Sequence, residues 1–130
     1  MSTELTWLTL TVVFTALMWL PYVLNRIAVR GLVETVGYPD KPKPLAPWAE
    51  RMRKAHANAV ENLVIFAALV LGAQAAGVHS SLTVLATEVY LGARVVHFFA
   101  YAAKIPWLRT LGFFVGWLCC MVLAWAVLAT

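Results

Sequence analysis

The sequence has few charged residues and almost no cysteine. Charged side chains make up 12% of its 130 residues, whereas soluble domains average about 25%. This scarcity excludes a disordered chain and a charged coiled coil, and the glycines follow no collagen-like period. The two cysteines, Cys119 and Cys120, are adjacent, which excludes a disulfide-stapled secreted domain. Apolar residues are abundant instead, at 62% of the chain, and they indicate a lipid environment.

Long apolar runs predict four membrane-spanning helices, each needing about 20 mostly apolar residues. The predicted spans lie at about 5–24, 51–76, 82–103 and 107–129. The polar segment 25–50 predicts a loop, with an extended course through Tyr38–Pro44 because of its prolines. Pro21 lies in the last turn of the first span, where a membrane helix tolerates a kink. We therefore predict one domain over 1–130, an all-α integral membrane four-helix bundle.

Basic residues are concentrated on one side of the predicted spans. Ten Lys and Arg residues exceed six Asp and Glu residues, giving a formal charge of +4. All but Arg94 lie in the 25–50 loop, at the start of the second span or at the turn between the third and fourth spans, namely Arg26, Arg30, Lys41, Lys43, Arg51, Arg53, Lys54, Lys104 and Arg109. The positive-inside rule places these segments in the cytoplasm and both termini outside it. The excess positive charge thus predicts how the chain is oriented in the membrane, with lipid as a partner. It does not predict a nucleic-acid partner.

The first span does not resemble a signal peptide. It lacks a basic n-region, because Glu4 is the only early charge, and it lacks a small-residue cleavage site. The absence of a targeting segment favours a bacterial inner membrane, with an endoplasmic-reticulum location left open.

Two predicted helices carry polar stripes at membrane depth, where an ionisable side chain costs about 2.5–3.5 kcal/mol. At about 100° per residue, one arc of roughly 80° on the second span contains Arg51, Lys54, Asn58 and Glu61. His56 lies nearly opposite that arc. An arc of roughly 60° on the third span contains Tyr90, Arg94, His97 and Tyr101. Both stripes open toward the side where Arg109 begins the fourth helix, and one interpretation is hydrogen bonding between helices.

The excess of cations around one acid favours a ligand pocket over simple helix–helix hydrogen bonding. Glu61 is accompanied by Arg51, Lys54, Arg94 and Arg109. Hydrogen bonding between helices needs no such excess, whereas an anionic ligand does, and the planar guanidinium suits carboxylates. Glu61 is placed to receive a ligand ammonium. The pattern predicts a small zwitterion with additional carboxylates.

Two sequence blocks resemble the MAPEG family, the membrane-associated proteins in eicosanoid and glutathione metabolism. The run Glu50–Asn62, with the pattern E-R-x-x-[RK]-A-x-x-N-x-x-E, is similar to the family's second-helix signature. Arg94–His97, followed by Tyr101 and then Arg109–Thr110, is similar to a second block. The length, the spans and the long first loop agree, and the chain looks like a microsomal glutathione transferase.

The resemblance implies a homotrimer of four-helix protomers that binds glutathione in a cytoplasm-facing pocket between neighbouring protomers. Glutathione is then a co-substrate, and its activated thiol is conjugated to, or reduces, hydrophobic electrophiles or lipid hydroperoxides from the bilayer. The resemblance makes Arg109 and Thr110 catalytic. The implied glutathione-binding residues are Arg26, Arg30, Arg51, Lys54, His56, Asn58, Glu61, Arg94, His97 and Tyr101. His56 would reach the neighbouring protomer's ligand, as would either Arg26 or Arg30, between which the loop offers no choice.

Two departures from the family pattern leave a second function open. Lys54 stands where the family usually has arginine, and Asn62 stands where leukotriene synthases have tyrosine. The second departure argues against eicosanoid-type chemistry. A non-catalytic member that binds lipid or glutathione is therefore an alternative, because a fold does not prove an activity.

Residue placement disfavours two further functions. A small four-helix transporter depends on a glutamate midway along its first helix, and 5–24 contains no acid. Glu88, the deepest acid, is expected to pair within the bundle or at the interface between protomers. A haem protein would use His56 and His97, but histidines in small bundles are usually hydrogen-bonded polar residues. We predict no metal ligands.

Overall fold

The chain is helical apart from short connections, in a computed structural model that describes residues 1–130. The helices are α1 (Thr3–Leu17), α2 (Trp19–Arg30), α3 (Leu32–Val36), α4 (Pro47–Ala75), α5 (Ser81–Ala102) and α6 (Pro106–Leu128). Four segments are long and apolar enough to cross a membrane: Thr3–Arg30, which combines α1 and α2, and the whole of α4, α5 and α6. The predicted all-α class with four long apolar helices is confirmed.

The first span is interrupted at Met18, whereas we predicted one helix over 5–24. Pro21 lies in the first turn of α2 and has no N–H to donate to the carbonyl of Leu17, so the hydrogen-bond ladder breaks there. The Met18 N–H donates to the Thr15 carbonyl instead, at 3.3 Å. Beyond the break, α2 continues to Arg30, well past the predicted end.

The segment 25–50, predicted as a loop, is helical over much of its length. Its first residues complete α2, a further part forms α3, and α4 already begins at Pro47, which suits a first helical turn because its missing N–H is not needed there. Only Gly31 and the stretch 37–46 lack helix, and this stretch includes the Tyr38–Pro44 run that was predicted to be irregular. The prediction was wrong at both ends because polar residues are compatible with helices that project beyond the membrane.

Two side chains of α2 hold the irregular segment in place. The Asn25 side-chain oxygen accepts a hydrogen bond from the Ala46 N–H at 3.0 Å. The Arg30 Nε donates to the Lys43 carbonyl at 2.7 Å. These bonds attach the residues before α4 to the end of the first span.

Helix α5 packs against α6, α4 and α1, and its most extensive contact is with α6. Small residues permit this close approach, because a Cβ atom added at Gly112 would lie 3.0 Å from the Ala93 carbonyl oxygen. On the α4 side, the Phe66 and Tyr90 rings stack with centroids 3.7 Å apart. The packing on both sides directs the polar stripe of α5 into the bundle.

Glu4 attaches α1 to the turn between α4 and α5. Its side chain is buried, and one carboxylate oxygen lies 2.6 Å from His79 Nδ1 and accepts from the Thr83 hydroxyl at 3.2 Å. The Ser2 hydroxyl donates to Gln74 Oε1 at 2.8 Å beside it. These contacts close the end of the bundle opposite to the one that carries most of the basic residues.

Candidate functional site

Polar side chains gather where α4 begins, α5 ends and α6 begins, a region that we call the basic end. Helix α4 contributes two of them, α5 three and α6 one. We call this set the inner cluster: Arg51, Asn58, Arg94, His97, Tyr101 and Arg109. All six belong to the residues predicted from the sequence.

Arg94 is the buried centre of the inner cluster. Arg94 is only 3% exposed. Its Nη2 donates a hydrogen bond to Asn58 Oδ1 at 2.7 Å, and the same nitrogen lies 3.3 Å from His97 Nδ1. Its Nε has no hydrogen-bond partner, and no ion pair of the chain includes it. A buried cation without a counter-charge is unfavourable. The site is therefore suited to an anionic ligand.

Asn62 orients the Asn58 amide toward Arg94. The Asn62 Nδ2 donates to the Asn58 main-chain carbonyl at 2.8 Å and reaches the Asn58 Oδ1 at 3.3 Å. The Asn58 oxygen thus faces two donors, one from each of two helices. The sequence marked Asn62 only as a departure from the family pattern, whereas the structure makes it a support for Asn58.

Two arginines lie at the mouth of the cluster. The Arg51 Nε donates at 3.0 Å to the carbonyl of Ala102, one of the carbonyls that the end of α5 leaves without a helical partner. The Arg109 guanidinium lies over the Tyr101 ring, 5.1 Å from its centroid, in a cation–π arrangement. These side chains line a cavity of about 270 Å³, with Lys104 also at its wall. Thr110 is exposed beside Arg109.

A second polar surface, which we call the α2–α4 groove, lies on the other side of α4. Its volume is about 570 Å³, and its polar lining residues are Tyr22, Arg26, Arg53, His56 and Glu61. The Tyr22 hydroxyl lies 2.7 Å from His56 Nδ1. The Arg26 Nε is buried and has no partner. His56 thus faces away from the inner cluster, as its position opposite the stripe predicted.

The structure does not bring Glu61 or Lys54 into the inner cluster of the same chain. Glu61 is exposed and lines the α2–α4 groove, and Lys54 is exposed without a hydrogen bond or ion pair. The reason is the width of the predicted arc, since roughly 80° of a helix face can border two different neighbours. Arg51 and Asn58, at one edge, face α5, whereas Glu61, at the other edge, faces the side of α2.

The structure also distinguishes Arg26 from Arg30, between which the sequence offered no choice. Arg26 lines the α2–α4 groove, whereas Arg30 is engaged with the Lys43 carbonyl. Tyr22 was missed, although it precedes Arg26 by four residues and would share its helix face once the first span is extended through residue 30.

Two other predicted polar positions have different surroundings from those expected. Tyr90 belongs to the packed core through its stacking on Phe66, and its hydroxyl has no partner. Glu88 is exposed and makes no ion pair, so it has no partner within its own bundle, and a partner at the interface between protomers stays a prediction. The chain groups no three His, Cys, Asp or Glu side chains about one point.

Comparison with known proteins agrees with the resemblance seen in the motifs. Residues 6–129 match the MAPEG family. Over 69 residues the chain is 38% identical to microsomal glutathione S-transferase 1 of Homo sapiens and to its namesake in Rattus norvegicus, and 36% identical to that of Bos taurus. The aligned segment is 52% of this chain and 44% of each relative, so the match spans less than half the length of those proteins.

The family match covers nearly the whole chain and includes all four apolar helical segments. The matched range also contains both sequence blocks that carry the resemblance. The protein belongs to the MAPEG family and is an integral, multi-pass membrane protein.

Proposed function

We propose that this protein binds glutathione at the inner cluster and activates its thiol for reaction with hydrophobic electrophiles. The observation that carries the proposal is Arg94, a buried guanidinium held by the neutral Asn58 amide and unpaired with any carboxylate. Glutathione offers carboxylates for such a cation and an ammonium for an acid. The names of the relatives, glutathione S-transferases, support the same ligand.

Arg109 is the residue proposed to activate the thiol. The thiolate is the nucleophile, and a free thiol has a pKa of about 8.5, so a nearby cation increases the reactive fraction. Arg109 stands at the mouth of the cluster, and the exposed Thr110 beside it would donate a hydrogen bond from its hydroxyl to the sulfur. The sulfur then attacks an electrophilic carbon and displaces its leaving group. With a lipid hydroperoxide, the sulfur attacks the terminal peroxide oxygen, the O–O bond breaks, and the lipid leaves as the alcohol after taking up a proton. A second glutathione thiol then attacks the resulting sulfenic acid, which gives glutathione disulfide and water.

We further propose that a complete site lies between copies of the chain in a homotrimer. The inner cluster has cations but no acid for the ligand ammonium, whereas the α2–α4 groove carries Glu61 beside Arg26 and His56. Each surface also contains a buried arginine Nε without a partner, from Arg94 and from Arg26. If the groove of one copy faces the inner cluster of the next, one ligand meets both surfaces. The positive-inside rule supports a cytoplasmic basic end, with both termini on the other side.

Glutathione titration of the detergent-purified protein by calorimetry tests the binding proposal. We expect saturable binding by the wild-type protein and an affinity about tenfold to hundredfold lower for Glu61→Gln, because a hydrogen bond to a charged group contributes about 1.5–3 kcal/mol. Glu34→Gln is the matched control, since Glu34 is an exposed acid of α3 outside both surfaces. Absence of binding by the wild-type protein would refute the proposal.

A conjugation assay with a chloronitrobenzene substrate separates an enzyme from a non-catalytic binder. We expect glutathione-dependent product from the wild-type protein. Saturable glutathione binding without product from this or other electrophiles, and without hydroperoxide reduction, would favour the non-catalytic alternative.

Mixed oligomers test whether one site uses two copies of the chain. We expect co-expression of Glu61→Gln with Arg109→Ala to restore part of the activity at low glutathione concentration, because some interfaces then combine a native Glu61 with a native Arg109. Activity no greater than the sum of the two separate variants would place both residues in a site within one copy.

A further inference from the structure

We propose that a groove between α5 and α6 binds a lipophilic organic cation through the carboxylate of Glu88. The groove has a volume of about 630 Å³ and is lined mainly by apolar side chains of the two helices, with Trp7 of α1 also contributing. Such a volume is within the usual range of small-molecule sites, roughly 300–1,000 Å³. Glu88 is the one charged side chain in its lining.

Glu88 lies within the depth of the membrane. It follows the first residue of α5, Ser81, by seven positions, or about 10 Å at about 1.5 Å per residue. Its side chain is exposed at the surface of the bundle and makes neither a hydrogen bond nor an ion pair. A carboxylate in such a place is uncommon unless it meets a partner or a ligand.

No basic residue of this chain is placed to be that partner, and a second copy in the same membrane orientation has its basic residues at the same depths. Nine of the ten Lys and Arg residues lie at the basic end, and the tenth, Arg94, is buried and held by Asn58. His79, in the turn before α5, is engaged with Glu4. A cation that reaches Glu88 therefore comes from outside the protein.

The walls of the groove determine what kind of cation fits. Val89 and Val96 of α5 and Leu108 and Leu111 of α6 line the groove and are open to the bilayer. Apolar walls disfavour a hydrated metal ion, and they suit a charge that is carried on an apolar body. Trp7 also lines the groove, and aromatic rings attract cations. The ligand class is thus a lipophilic ammonium or phosphonium that enters from the lipid.

Gly92 provides the open space beside the carboxylate. It follows Glu88 by four residues and therefore lies on the same helix face. A Cβ atom added at Gly92 would meet no atom within 4 Å. A larger side chain there would occupy the groove without disturbing the helix packing.

Equilibrium dialysis of radiolabelled tetraphenylphosphonium against the detergent-purified protein tests the charge. We expect saturable binding that unlabelled tetraphenylphosphonium displaces and that neutral triphenylphosphine oxide displaces poorly. Glu88→Gln should weaken binding by at least about tenfold, because it removes the charge opposite the cation in an apolar site. Glu34→Gln, an exposed acid outside the groove, should bind like the wild-type protein.

Gly92→Leu tests whether the ligand occupies the open space of the groove, independently of the charge of Glu88. We expect loss of tetraphenylphosphonium binding with an unchanged unfolding temperature, since the new side chain extends into open space. Equal binding by Glu88→Gln and the wild-type protein would overturn the proposal. So would the absence of saturable binding by the wild-type protein.

Discussion

The Arg94 guanidinium donates a hydrogen bond of 2.7 Å to the Asn58 side-chain oxygen, and this contact joins α5 to α4 inside the bundle. The amide orients the cation but leaves its charge uncompensated, because no acid of the chain pairs with it. Arg94 is therefore held in place and remains available to an anion. The same pair contributes to the stability of the empty protein and to the proposed affinity for glutathione.

Asn58→Asp should separate these two contributions. The new carboxylate would form a buried ion pair with Arg94 that is close to the present hydrogen-bond geometry. We expect an unfolding temperature equal to or above that of the wild-type protein, and a glutathione affinity at least about tenfold lower, because like charges placed together cost several kcal/mol. Thermal unfolding and calorimetry in detergent measure the two effects. Asn58→Ala is the control, expected to lower both quantities. An Asn58→Asp variant that binds glutathione normally would contradict an anion site at Arg94.

Arg109→Ala should retain glutathione binding and lose most of the thiolate. Arg109 rests on the Tyr101 ring at the mouth of the inner cluster, so its removal leaves the buried Arg94 contacts in place. We expect the conjugation rate to fall by roughly 10²–10³, the loss typical of removing one stabilising donor at a developing anion. The ultraviolet absorbance of the glutathione thiolate measures the loss of thiolate, and single-turnover kinetics measure the conjugation rate. Arg109→Lys should recover part of the rate, and unchanged turnover in Arg109→Ala would remove this residue from the mechanism.

Tyr22→Phe should remove the hydrogen bond that holds the His56 side chain in place while keeping both rings. The Tyr22 hydroxyl lies 2.7 Å from His56 Nδ1, and a neutral hydrogen bond contributes about 0.5–1.5 kcal/mol. We expect a small decrease in the free energy of unfolding and a raised KM for glutathione with little change in kcat. Tyr38→Phe is a matched control, because the Tyr38 side chain is fully exposed. Equal KM values for the two variants would show that His56 does not need Tyr22 for its proposed contact.

Gly112→Ala should lower the stability of the protein, whereas Gly92→Ala should not. A Cβ atom at Gly112 would lie 3.0 Å from the Ala93 carbonyl and 3.2 Å from the His97 backbone nitrogen, so α6 must move away from α5. We expect a loss of about 1–3 kcal/mol, the usual cost of overpacking. The methyl group at Gly92 meets nothing within 4 Å, so this variant should be at least as stable as the wild-type protein. Thermal unfolding compares the two variants, and equal stability would mean that the α5–α6 contact is looser than described.

Much of the fold follows from local sequence features. The apolar runs predicted the cores of all four spans, and α4, α5 and α6 begin and end within a few residues of the predicted limits. Their ends are marked by local signals, such as Pro47 and Pro106 in first helical turns and Ser80 as the N-terminal cap of α5. The first span was predicted less well, because the effect of Pro21 appears at a carbonyl four residues earlier and because polar residues continue α2 beyond the membrane.

The candidate site was also predicted only in part from the sequence. Periodicity identified the residues that share a helix face, and five of the six members of the inner cluster were among them. The sixth, Arg109, was predicted from its place at the start of the fourth helix. Periodicity does not tell which neighbour each edge of a face meets. The separation of Glu61 from Arg94, the contact between Tyr22 and His56, and the support of Asn58 by Asn62 therefore required the structure.

The sequence by itself determined the membrane spans, the side on which the positive charge lies and the membership in the MAPEG family, since these depend on composition and on motifs within single helices. Only the tertiary structure decided that Arg94 is buried without an acid, and that Glu88 is left without a cation. The reason is physical: the partner of a buried or membrane-facing charge depends on how neighbouring helices are rotated and packed. In this bundle small residues of α6, Gly112 and Gly116, set that packing through their close approach to α5.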